Sequence, residues 1–213
     1  MPPKSYLTEI INTLKSLYPD PACNLSYSAD KPWQLLIAAR LSAQCTDLRV
    51  NKVTPGLFER FPELFDFAAT DAAEIAEIIK PCGLFNTKAA SIKAMAQKLI
   101  TDFGGEIPDS LDKLLTLPGV GRKTANLILG DIFHLPAIVT DTHFIRITYR
   151  LRLTDSKNPE TVERDLRTLL PPDESSDFCH RIVFFGRDFC KAQNPRCDYC
   201  KLQQTLKIDC RKE

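Results

Sequence analysis

Residues 111–126, LDKLLTLPGVGRKTAN, run from an apolar helical turn through a tight bend into the start of a second helix. No other stretch restricts the chain so closely. Pro118 fixes its own φ, while Gly119 and Gly121 permit positive φ and leave their amides uncovered, so LPGVG bends sharply and presents a row of N–H donors. With a helix opening at about Arg122, those donors stand at the positive end of a helix dipole, a seat for a phosphate. Lys123 falls in the first turn of that helix, beside the anion it would help to bind. The dipole disfavours its ammonium form, which suits an amine nucleophile. Taken alone, Pro-Gly-x-Gly is more often a plain connection between helices, followed by a solvated lysine.

The rest of the chain keeps helical period. Leu7, Ile10, Ile11, Leu14 and Leu17 mark an amphipathic helix over 4–17 that stops before Pro19 and Pro21. The segment PWQLLIAARLSA, 32–43, opens on proline and is apolar nearly all round, as a central buried helix is. Its one charge, Arg40, either lines a pocket or snorkels outward. Further helices are expected over 46–53, 71–80, 86–102, 109–116, 122–132, 141–152, 159–170 and 175–187. Only LPAIVT, 135–140, has a strand-like character, and it is too short and solitary for a sheet. The expected fold class is all-α.

At 213 residues the chain can bury a full core. Its 28 Lys and Arg against 27 Asp and Glu leave a net charge of +1, so any nucleic-acid face has to be local. No apolar run reaches the ~20 residues of a membrane span, and MPPKSYLTEI lacks the apolar core of a signal peptide. A cytoplasmic, soluble protein without membrane contact is expected. Of the eight cysteines, Cys190, Cys197, Cys200 and Cys210 crowd the C-terminal end as C-x6-C-x2-C-x9-C. In a reducing compartment such clustering points to metal, and four thiolates suit zinc or iron–sulfur alike, with zinc favoured on generic spacing. Cys23, Cys45, Cys82 and Cys179 read as core residues. Lys191 and Arg196 flank the loop between the first two clustered cysteines, where they either face phosphates or are solvated surface charges.

The string LPGVGRKTAN resembles the helix-hairpin-helix of DNA repair glycosylases, and most closely that of the endonuclease III family. VTDTHF, LSAQCTD, GLFNTKA and the cysteine run carry the resemblance through most of the chain. It implies two all-α lobes, a central one over about 25–135 and a second combining 1–24 with 136–213, the latter carrying the cysteines. It also implies a bifunctional enzyme of base-excision repair. Such an enzyme removes oxidised or otherwise damaged pyrimidines and then, as an AP lyase, nicks the abasic strand by β-elimination. On sequence alone Asp141 is a helix cap. The family pairs a hairpin lysine with an aspartate at this spacing, so Lys123 becomes the nucleophile and Asp141 its carboxylate partner. His143, His134 and His180 remain structural.

The same resemblance implies a 4Fe-4S cluster on Cys190, Cys197, Cys200 and Cys210, although the family spacing is C-x6-C-x2-C-x5-C and the last gap here is longer. Lengthening a loop by a few residues costs little closure entropy, a few tenths of a kcal/mol. The implied partner is double-stranded DNA containing damaged bases or abasic sites, engaged by a monomer. Its backbone would lie on Gly119, Val120, Gly121 and Arg122, with Lys88, Lys191 and Arg196 as further contacts. Gln44 and Leu84 would be the wedges that fill the gap left by an extruded nucleotide. A related adenine glycosylase is disfavoured, because those enzymes lack the hairpin lysine and carry a carboxylate where this chain has Arg40. A non-catalytic DNA-binding protein is disfavoured by the Lys123 and Asp141 spacing.

Overall fold

The structure, a computed structural model, describes residues 3–206 and 210. Among these residues the helices are α1 (Lys4–Leu17), α2 (Trp33–Leu41), α3 (Asp47–Arg60), α4 (Leu64–Ala69), α5 (Ala72–Ile79), α6 (Phe85–Phe103), α7 (Leu111–Leu115), α8 (Arg122–Asp131), α9 (Thr142–Arg150), α10 (Pro159–Leu169), α11 (Ser175–Asp188) and α12 (Lys201–Leu206), and there is no strand. The chain divides into two units, one of Cys23–Phe133 and one that joins Met1–Ala22 to His134–Glu213.

The Cys23–Phe133 unit is built around α2. Every residue from Trp33 to Leu41 is buried except Arg40, as the all-round apolar sequence requires. Helices α3, α6 and α8 pack against it, and α4 and α5 cover the other side of α6. Trp33 meets the edges of Phe58 and Phe67 at centroid separations of 5.8 and 5.7 Å, which fastens the start of α2 to the end of α3 and to α4.

Helix α3 corrects the expected end at residue 53, since it continues through Pro55 to Arg60. Pro55 brings no N–H to the helical ladder, and the Thr54 hydroxyl is buried without a partner. Core burial of Val50 and Leu57 on either side of the break holds the helix together, so packing overrides the local signal. Helix α4 was not expected. Its start is set by Asp66 Oδ2, which accepts from the Glu63 amide at 2.8 Å.

In the other unit the apolar faces of α1, α9, α10 and α11 enclose one core, with Ile10, Leu14, Phe144, Ile147, Val162, Leu166, Ile182 and Phe185 buried within it. Helices α9 and α11 approach closely at Gly186. A Cβ there would lie 2.7 Å from His143 Nδ1 and 2.8 Å from Ile147 Cδ1, so any larger residue would push these side chains aside. The strand-like LPAIVT joins no sheet; Ala137 and Ile138 are buried, whereas Leu135 and Pro136 are exposed. The Ala137 amide donates to Ser175 Oγ at 3.1 Å, and the Val139 amide to Cys179 Sγ at 3.3 Å. Cys179 is thereby a core residue, as expected. No described helix is long and apolar enough to cross a membrane.

Candidate functional site

Within the Cys23–Phe133 unit, α7 and α8 pack on one another across the hairpin. Leu114, Leu117 and Val120 are buried beneath it, whereas Gly119, Gly121, Arg122 and Lys123 are exposed. The Val120 amide donates to Leu117 O at 3.1 Å and closes the turn. This corrects the expectation of a full row of presented donors, because the Val120 N–H serves the bend. Among the described residues the amides of Gly119 and Gly121 have no partner and stand at the head of α8.

The two glycines differ in what they require. Gly119 has φ +79°, and a Cβ on it would sit 2.7 Å from Arg40 Nε, 2.9 Å from Arg40 Cδ and 3.2 Å from Ser91 Cβ. Gly121 has the extended φ of −99° and ψ of 175°, and a Cβ there would meet nothing within 4 Å. Its expected positive φ is therefore absent, and its missing side chain matters only to what approaches from outside.

Arg40, whose role the sequence left open, forms the floor of this hairpin. Its Nε donates to Ser91 Oγ at 2.7 Å, and Ser91 Oγ donates in turn to Lys88 O at 2.9 Å. The terminal guanidinium nitrogens of Arg40 make no hydrogen bond among the described residues, so a half-buried cation with spare donors lies directly under Gly119. Arg40 and Ser91 were missed as supporting residues. The available signal was one arginine in an otherwise apolar helix.

Lys88 is a correction. Its side chain is fully buried, and Nζ donates to Leu41 O and to Cys82 O, each at 2.8 Å. Burial pulls its pKa down, partly offset by the nearby thiols of Cys45 and Cys82. A cation committed to the C-terminal carbonyl of α2 and to the turn before α6 does not reach a DNA phosphate. Gln44 and Leu84, by contrast, are both exposed at the surface and both left-handed, with φ of 55° and 48°. Leu84 is the residue from which α6 starts, and more than half of its surface is open, at 57%.

The remaining expected residues belong to the other unit. Asp141 caps α9, its Oδ1 accepting from the Phe144 amide at 2.6 Å. Its Oδ2 makes no hydrogen bond among the described residues, so capping fixes the carboxylate without consuming it. His143 Nδ1 lies 3.3 Å from Arg146 of the same helix, a local contact.

The loop after α11 is held from inside by α9. Arg146 donates to Cys190 O at 2.8 Å, and Arg150 donates to Lys191 O at 2.7 Å, to Ala192 O at 3.2 Å and to Cys190 Sγ at 3.5 Å. With its backbone fastened this way, the loop leaves Lys191 and Arg196 exposed. Burial, with Cys190 and Cys197 adding to it, pushes the Cys200 thiol up, and Cys190, Cys200 and Cys210 pack against the same core. All four thiols are free of disulfides. Among the described residues no three His, Cys, Asp or Glu side chains converge tightly enough to grip an ion.

The model of the HhH-GPD superfamily of base excision DNA repair proteins matches residues 37–172. The endonuclease III of a Synechocystis strain is 46% identical over 200 residues, covering 93% of this chain and 90% of that protein. That of Bacillus subtilis is 41% identical over 193 residues, covering 90% and 87%. A solved structure of a trapped endonuclease III–DNA covalent intermediate, an estranged-adenine complex, superposes with a TM-score of 0.90 at 40% identity, covering 99% of this chain and 97% of that one. A non-covalent endonuclease III–DNA complex gives 0.89 at 38%, covering 98% and 100%.

Proposed function

The chain belongs to the endonuclease III family of the HhH-GPD base-excision repair superfamily, and from that premise we propose a mechanism carried by Lys123 and Asp141. It is a DNA glycosylase and AP lyase acting on double-stranded DNA. The observation that carries the mechanism is the exposed Lys123 in the first turn of α8, next to two uncommitted glycine amides. The amides and helix dipole bind the DNA backbone, and this sets the amine beside the sugar whose base is removed.

The Lys123 amine attacks C1′ of the damaged nucleotide, and the bond from C1′ to the base nitrogen breaks. Asp141, held by its cap to the Phe144 amide, stabilises the developing oxocarbenium charge with its carboxylate and takes the proton that the attacking nitrogen sheds. The departing base takes a proton from water, and ring opening, with the proton on Asp141 passing to O4′, gives a protonated imine between Lys123 and C1′. The imine acidifies C2′, loss of the C2′ proton expels the 3′ phosphate, and water then releases the lysine. Gln44 and Leu84 fill the space vacated by the extruded nucleotide, and the substrates are oxidised pyrimidines. Acting on DNA, the protein works inside the cell.

Four free thiols in one short segment, three of them seated on one core, fit a 4Fe-4S cluster held by Cys190, Cys197, Cys200 and Cys210. When bound, the cluster supplies a cross-link that pins the loop bearing Lys191 and Arg196. Those side chains then add phosphate contacts.

Borohydride added during turnover tests the nucleophile. The native protein should become covalently joined to damaged DNA, and Lys123→Ala should give neither adduct nor nick while keeping most duplex affinity. An adduct with Lys123→Ala would assign the attack to another amine.

A further inference from the structure

Cys45 follows Gln44 directly, and Cys82 precedes Leu84 with only Gly83 between them. The loops that carry these pairs are tied together at several points. Lys88 Nζ bridges Leu41 O and Cys82 O, Arg49 donates to Pro81 O at 3.4 Å, and α3 packs on the turn at 80–82. Inside this frame the thiols of Cys45 and Cys82 are electrostatic neighbours, while the Cys45 thiol itself donates to Thr46 O at 3.8 Å. They are not joined, and they differ in access, Cys45 being half-buried and Cys82 buried.

We propose that Cys45 and Cys82 form a dithiol pair that a low-molecular-weight disulfide oxidises to an intramolecular disulfide, cross-linking the loops that present Gln44 and Leu84. Cys45, which solvent reaches, attacks the small disulfide as its thiolate, forms a mixed disulfide and expels one thiolate. Cys82 then displaces the second small thiolate and closes the Cys45–Cys82 bond. Two protein thiols are oxidised, the reagent is reduced to two thiols, and these take up the two protons. The order of attack follows from burial, which together with the adjacent Cys45 pushes the Cys82 thiol up to about 11.

A disulfide holds its sulfurs at ~2.05 Å, well inside any non-bonded sulfur contact, so closure draws the two loops together. Gln44 and Leu84 already occupy left-handed backbone and have little slack to absorb that movement. The effect on activity rests on the reading of Gln44 and Leu84 as DNA wedges, whereas the cross-link itself does not.

The test uses the full chain with its metal. Oxidised glutathione is added without oxygen, free thiols are alkylated, and peptides are mapped without reduction. A peptide linking Cys45 to Cys82 should appear and vanish with dithiothreitol. Excision from damaged duplex should slow, by up to on the order of 10²-fold for a displacement near 1 Å, and recover on reduction. Cys45→Ser, Cys82→Ser and Cys82→Ala should keep their activity through the same treatment. Glutathione retained on Cys45 without a linked peptide overturns the pair. A linked peptide with unchanged excision overturns the coupling to the loops, as does equal inactivation of the Cys82 variants. If the untreated native protein fails to act on damaged DNA, the functional reading falls, and the peptide map still decides the dithiol.

Discussion

Lys88 and Lys123 carry the same charge in the same unit, yet their surroundings give them opposite work. Lys123 has solvent on its side chain, while Lys88 spends its ammonium on two buried carbonyls. Lys88→Met should leave both oxygens unsatisfied and cost about 1–3 kcal/mol of stability, read by denaturant unfolding. The salt dependence of duplex binding should not change, and a slope reduced by about one would restore Lys88 as a phosphate contact. Asp141 separates its two duties in the same manner. Asparagine also caps helices, so Asp141→Asn should keep the melting temperature close to native while base removal slows by ~10² to 10⁴. Asp141→Ala should add a stability loss of ~0.5–2 kcal/mol on top of that. Equal unfolding curves for the two variants would remove the cap from the account.

At the scale of elements, the hairpin glycines give a paired experiment. Gly119→Ala has to hold φ +79° and push Arg40 aside, so it should destabilise the fold by at least ~1–2 kcal/mol from backbone strain alone. Gly121→Ala meets no neighbour and should unfold like the native protein, with weaker binding to any duplex, damaged or intact. Loss confined to one damaged base would move the hairpin from the backbone to the base pocket. The elements themselves were largely legible, because helix period and proline or glycine punctuation are local signals: α1, α2, α6 and α8 lie close to where their sequences put them. The failures are places where a distant residue decides. Pro55 reads as a stop until Val50 and Leu57 are seen in the core. Lys88 reads as a surface cation until Leu41 and Cys82 offer their carbonyls. Arg40 has no assignable role until Gly119 comes to rest on it.

For the molecule as a whole, the cysteine assignment predicts a regional effect. Cys190→Ser, Cys197→Ser or Cys200→Ser should remove iron and lower amide-exchange protection in α11 and α12, leaving the Cys23–Phe133 unit protected. Cys210→Ser should do likewise. Iron retained in full by Cys210→Ser but lost by Cys179→Ser would transfer the fourth ligand to the core cysteine. The path of the chain has a further consequence, for the order of assembly during synthesis. Helix α1 leaves the ribosome before the Cys23–Phe133 unit, but Leu7, Ile10, Ile11 and Leu14 bury against Phe178, Ile182 and Phe185, which are made after that unit. The uninterrupted Cys23–Phe133 unit can fold while α1 still has an uncovered apolar face. A nascent chain halted after residue 133 should therefore hold a protected hairpin and an α1 open to protease. A helix made before that unit would be buried only after it.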